Sequence, residues 1–139
     1  ASLCLSTLKT IAKGATTTTK QDDNQATYAD KLTKEEGHIN WDRPAEHIDR
    51  QIRAFTPWPG CYFHYQDERF KCIAASPNSS VTNGTSEPGT IIQSESELVI
   101  ACGENTALTL EIIQRPGKKA TPTADVLRGY PFELNTQLT

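Results

Sequence analysis

The stretch "IRAFTPWPG", residues 52–60, marks where the sequence changes period. Before it, Ile48, Ile52 and Phe55 recur at helical spacing, so one apolar face runs along residues 44–55. His47, Asp49, Arg50 and Arg53 fall off that stripe. Asp42 is placed to cap the helix, and Pro44 suits its first turn. Pro57 ends it, because the residue before a proline is pushed out of the helical region. Pro59 and Gly60 then hand the chain to a segment of different rhythm.

That rhythm is two. "CYFHY" (61–65) and "RFKCIAA" (69–75) read as strands joined by a turn at Gln66–Asp67–Glu68. "TIIQSE", "ELVIAC" and "TALTLEIIQ" add three more, the last two linked through Gly103–Glu104–Asn105. In the last strand Leu108, Leu110 and Ile112 are expected on one face. "SPNSSVTNGTSEPG" between the second and third strands is a long polar loop. After "QRPGKK" a short helix is expected, with Thr121 as cap, Pro122 at its first position and Gly129 as its stop. About five short strands, one helix before them and a short one after, favour a mainly β fold: a small open Greek-key barrel.

The N-terminal part is different. Leu5, Leu8, Ile11 and Ala12 share a helical face over residues 2–13, and Gly14 stops it. A helix this short needs a packing partner. The patternless "ATTTTKQDDNQ" behind it reads as a linker. Tyr28, Leu32, Ile39 and Trp41 are apolar anchors in the charged strip that follows, where "INW" is placed to pair as a short strand. The chain lacks methionine, even at its start, and is read as a piece of a longer protein.

The 139 residues are 36% hydrophobic and 7% aromatic, enough for one modest core. The net charge of −3 does not advertise nucleic acid or membrane by itself. Its distribution does more: basic islands at residues 1–21 and 112–139 flank an acidic stretch at 22–49. Cys61, Cys72 and Cys102 lie in apolar strand-like runs and read as buried thiols; Cys4 lies in the first helix. A zinc site from Cys61, His64 and Cys72 has the wrong ligand spacing, so no metal is expected. Reduced cysteines imply a cytoplasmic protein, in which the Asn78 and Asn83 sequons merely mark a polar loop. No apolar run is long enough for a membrane span.

Catalytic patterns are absent. There is no GxSxG, P-loop, HExxH or GxGxxG, and His38, His47 and His64 read as surface or half-buried residues. Glu35–Glu36 is a solvated charge run. Binding features are clearer. "PGKK" (116–119) sets Lys118 and Lys119 on a turn suited to phosphate, Lys13 and Lys20 flank a flexible segment, and Arg53 leaves its helix just before the corner.

From "QDDNQATYADKLTKEEGHINWDRPAEHIDRQIRAFTPWPGCYF" through "IACGENTALTLEIIQRPGKK" to the late "GYPF", nearly the whole chain resembles the C-terminal part of the methionyl-tRNA formyltransferase family. The "ATYADKL" strip favours that family over sister formyltransferases acting on folate or nucleotide sugars. The resemblance implies an OB-like barrel domain over residues 26–139, with 1–25 as the end of a catalytic domain and its linker. It implies a parent transferase of translation initiation that uses 10-formyltetrahydrofolate to formylate methionyl initiator tRNA. The Asn–His–Asp constellation and Ser-Leu-Leu-Pro signature of the family's catalytic domain are not in this sequence. The piece itself is therefore expected to be inactive, monomeric and without a cofactor, and to work beside its catalytic domain in cis. Its tRNA contacts would be Lys13, Lys20, Lys31, Lys34, Arg53, Lys118 and Lys119. Phe55, Pro57, Trp58, Pro59 and Gly60 would form an architectural corner, with Phe55 and Trp58 plugging the barrel end. The alternative is a packing barrel of a related formyltransferase that touches no RNA.

Overall fold

The structure is a computed structural model that describes residues 2–81 and 84–139; Asn83, the second sequon, lies outside the described residues. Contacts divide the chain into two units, Ala1–Lys31 and Leu32–Thr139. The first contains helix α1 (Ser2–Ala12) and a 3-10 turn at Asp23–Gln25. Leu3, Leu5, Leu8 and Ile11 of α1 are all exposed. Tyr28, expected as an anchor, is 92% exposed, and Leu32 is exposed as well. The real anchors of the strip are Ile39 and Trp41, both buried. The unit that holds the barrel runs from Leu32 to Thr139.

In the second unit α2 (Ala45–Phe55) precedes strands β1 (Cys61–Tyr65), β2 (Glu68–Pro77), β3 (Ile91–Gln93), β4 (Leu98–Cys102), β5 (Thr106–Gln114) and β6 (Thr121–Pro122), and α3 (Thr123–Leu127) follows. All pairings between these strands are antiparallel, in the order β1-β2-β5-β4-β3, with β6 added beside β5. β3, β4 and β5 form a meander, and the long loop after β2 crosses so that β2 lies beside β5. This is a Greek key. Both tight hairpins use left-handed residues, Gln66 and Asp67 in one and Glu104 and Asn105 in the other.

The barrel remains open between β1 and β3, and the C-terminal segment spans that gap. Leu138 donates to the Gly89 carbonyl at 2.8 Å, and Ile91 donates to Thr136 at 2.9 Å. The Thr139 N–H reaches the His64 carbonyl at 3.2 Å, and the His64 N–H returns a bond to Thr139. Ile39 also donates to Tyr62, at 2.9 Å, so "INW" touches β1 through an isolated bridge at His38 instead of forming a strand. Inside, Phe63 stacks on Phe70 at 5.4 Å, and Tyr65, Tyr130 and Phe132 complete an aromatic cluster. The late "GYPF" thus supplies core.

Three local expectations change. Ile112 is only half-buried, whereas Ile113 is fully buried, because irregular register between β2 and β5 at Cys72–Ala75 shifts the inward phase. Thr121 and Pro122 pair with β5 as β6, so α3 starts at Thr123, one residue beyond the expected first position. Neither Asp42 nor Pro44 provides a side-chain cap for α2. The orphan Ala45 N–H instead donates to Thr106 Oγ1, at 2.9 Å, from the start of β5. That hydroxyl donates to the Gly103 carbonyl at 2.6 Å, and the Gly103 N–H donates to Trp41 and Arg43.

A Cβ on Gly103 would collide with the Asp42 carbonyl oxygen. Gly103→Ala is therefore expected to cost about 2–3 kcal/mol in urea unfolding. Thr106→Val should cost about 1 kcal/mol through the lost cap, and Thr106→Ser should recover most of it.

Candidate nucleic-acid interface

The corner at residues 56–60 projects outward. Gly60, at φ +80°, donates to the Phe55 carbonyl at 2.9 Å and closes the loop at its base. A Cβ on Gly37 would strike the Gly60 carbonyl, so the strip before α2 lies directly against the corner. Phe55 is partly buried and packs against the core. Trp58 does not: it stands at the loop tip, 57% exposed, with Pro57 and Pro59 on either side. The two prolines lie within the closed loop, so the intervening side chain faces out rather than into the barrel end.

Beside the corner lies the outer face of β2. The strand alternates, with Phe70 and Cys72 inward and Arg69 and Lys71 outward and exposed. Gln114 at the end of β5 and the turn residues Arg115, Pro116 and Gly117 continue the lining. Gln114 Nε2 holds that turn by donating to the Lys118 carbonyl at 2.7 Å. With Lys34 at the rim, these groups and the Pro57–Trp58–Pro59 tip enclose a groove of about 520 Å³. Among the described residues, four cations line it and no carboxylate does.

Two of the cations are held in place. Arg69 lies 3.6 Å over the Tyr62 ring. Arg115 pairs with Glu68 at 3.1 Å and sits 3.9 Å from the Tyr130 ring centre. Burial, followed by the Glu68 carboxylate, pushes the Tyr130 phenol above its ordinary range, so it stays neutral beneath Arg115. Arg115 also borders a second hollow of about 340 Å³, which Lys118 and Lys119 line. The turn residues therefore join two basic hollows.

Of the residues expected to contact phosphate, the fold gathers Lys34, Lys118 and Lys119 around this surface. Arg53 pairs with Asp49 at 3.1 Å and lines neither hollow. Lys13, Lys20 and Lys31 belong to the Ala1–Lys31 unit, where all three are exposed. Sequence reasoning missed Arg69, Lys71 and Arg115. The alternation in "ERFKC" carries the signal for the first two, since it sets them opposite Phe70 and Cys72.

Among the described residues, no group of three or more His, Cys, Asp or Glu is placed to hold a metal ion. His38 stacks on Tyr62 at 5.0 Å, and His64 meets the same ring edge-on. None of the described helices is long and apolar enough to cross a membrane. Burial pushes the Cys61 thiol up to about 11 and Cys102 to about 12, and raises Cys72 further still.

The fold is a small Greek-key barrel that carries a cationic, aromatic-tipped groove. The profile of the formyl transferase C-terminal domain family matches residues 31–131, and the chain belongs to that family. It is 39% identical over 131 residues to methionyl-tRNA formyltransferase of Pseudomonas syringae pv. tomato. That match covers 92% of this chain but only 40% of the relative's length. Solved structures of HypX from Aquifex aeolicus share the fold at 17% identity, covering 98% of this chain and 26% of theirs. The TM-score is 0.61 for a multiply substituted variant and 0.60 for the complex with tetrahydrofolic acid.

The raised thiols give a signed pH dependence. The folded Cys61 thiol keeps its proton up to about 11, against an ordinary value of 9.0. Its stabilising contribution is complete below 9.0 and is lost as pH rises through about 11. Denaturant unfolding across that window should show falling stability, and Cys61→Ala should flatten part of the fall.

Proposed function

We propose that this chain is the tRNA-gripping barrel of a methionyl-tRNA formyltransferase. In this reading the parent enzyme is cytoplasmic and formylates methionyl initiator tRNA for translation initiation. A catalytic domain in cis performs the transfer and binds the donor, 10-formyltetrahydrofolate. The barrel contributes hold and orientation. The observation that carries the reading is the groove itself: four cations and no carboxylate among its lining residues, with Glu68 engaging Arg115 from outside the lining, on a chain whose net charge is −3. Phosphate binding depends on such a local arrangement rather than on the overall balance. The 39% identity to the Pseudomonas enzyme supports the choice of substrate class.

Lys34, Arg69, Lys71, Lys118 and Lys119 are the assigned phosphate contacts of the barrel, and Lys13, Lys20 and Lys31 are those assigned to the first unit. Arg115 is mainly a positioning residue, because Glu68 already engages it. Such contacts fix register and orientation and carry no sequence information.

The test is initiator-tRNA binding across a salt series. Affinity should fall steeply with salt, and each phosphate contact removed should lower the log–log slope by about 0.9 in duplex regions. Lys71→Glu and the double change Lys118→Glu/Lys119→Glu should each weaken binding and flatten the slope. Absence of binding even at low salt would leave the barrel as a packing module.

A further inference from the structure

We infer that the groove takes an unpaired nucleotide, with its base stacked on Trp58 and its phosphates on Arg69 and Lys71. This rests on the reading of RNA as the ligand and specifies which form of RNA the groove admits.

The argument begins with the indole. Trp58 is the largest side chain in the lining and is 57% exposed, although only 7% of the chain is aromatic. It is also restrained. Pro57 and Pro59 limit the backbone on both sides, and the Gly60–Phe55 bond closes the loop beneath it. A loop backbone held this way has little freedom to lose on binding, as the base of a stacking platform should.

The second part is the partner chemistry. An indole face accepts another flat ring, but in a duplex every base face is already covered by its neighbours. Only an unpaired base offers a free face, and base–aromatic stacking is tolerant of base identity. The walls beside Trp58 supply the counterpart for the backbone. Arg69 and Lys71 project from the same face of β2, two residues apart, and Arg69 is braced on Tyr62. An apolar peptide would leave Lys34, Arg69 and Lys71 without an anionic partner, whereas a nucleotide satisfies ring and charges together. A volume of about 520 Å³ lies within the range of small-ligand sites.

The experiment uses the 139-residue chain, a short single-stranded oligoribonucleotide and the blunt duplex formed with its complement. Trp41 is buried and Trp58 is exposed, so acrylamide quenching reports on Trp58. The single strand should bind more tightly than the duplex and shield the wild-type indole from acrylamide. Trp58→Ala should weaken single-strand binding roughly 5- to 100-fold without changing its salt slope, and Trp58→Phe should stay near wild type. Circular dichroism of both variants checks the fold. Unaltered binding by a folded Trp58→Ala, or an unshielded wild-type indole, would overturn the stack while leaving the phosphate reading intact. A preference for the duplex would do the same. Failure of both RNAs to bind at low salt would overturn both readings.

Discussion

The backbone of Asp42 and Arg43 rests on Gly103, and most of the barrel's arrangement depends on that contact. A side chain at Gly103 would occupy the place of the Asp42 carbonyl. Because none is present, the Gly103 N–H reaches Trp41 and Arg43, and Thr106 reaches the first amide of α2. The β4–β5 hairpin thereby caps a helix that lies more than fifty residues earlier in the chain. With α2 seated, Ile48 and Ile52 are fixed over the sheet, and the exit of the helix is fixed too. The corner then has one direction to take, and β1 enters the barrel from it. A similar backbone approach, Gly37 against Gly60, secures the other side of the corner.

The groove follows from this seating. Its walls come from the strip before α2, the corner, β2 and the turn after β5. These parts meet because β2 pairs with β5, which places Lys71 opposite Gln114. The Glu68–Arg115 pair ties the start of β2 to the turn, and at partial exposure its worth is chiefly geometric. The core beneath is closed to chemistry. Cys61 and Cys72 lie on paired positions of β1 and β2 with their thiols held protonated by burial. In the proposed reading the surface binds, and catalysis belongs to the remainder of the parent protein.

The polar loop after β2 has a topological role that its composition conceals. It carries the chain from β2 to β3 across the Greek key, and its end is tied down where Gly89 meets the C-terminal segment. Gly89 sits at φ +88°, and a Cβ there would lie 2.9 Å from the Leu138 carbonyl oxygen. The last residues of the sequence look like a polar tail, yet Leu138 is buried and its neighbours bond to both open edges of the sheet. Exposed strand edges are thus covered without a further strand.

The sequence alone determined most of the elements, because their signals lie among near neighbours; β6 and the bridge at His38 were not among them. The shift from helical spacing to alternation at "IRAFTPWPG" located α2 and β1, and the glycine and turn residues located the hairpins. It also carried the family resemblance, and it placed Lys118 and Lys119 on a turn. Tertiary structure decided what those elements do together. Trp58 faces solvent because the loop around it is closed at the base, a bond no spacing rule reveals. Arg69, Lys71 and Arg115 became one surface with Lys34 only when β2 paired with β5 at its particular register. Ile113 replaced Ile112 in the core because that same pairing is irregular. Periodicity is a property of adjacent residues, whereas register, bulges and the direction of a loop are settled by contacts between segments far apart in the chain.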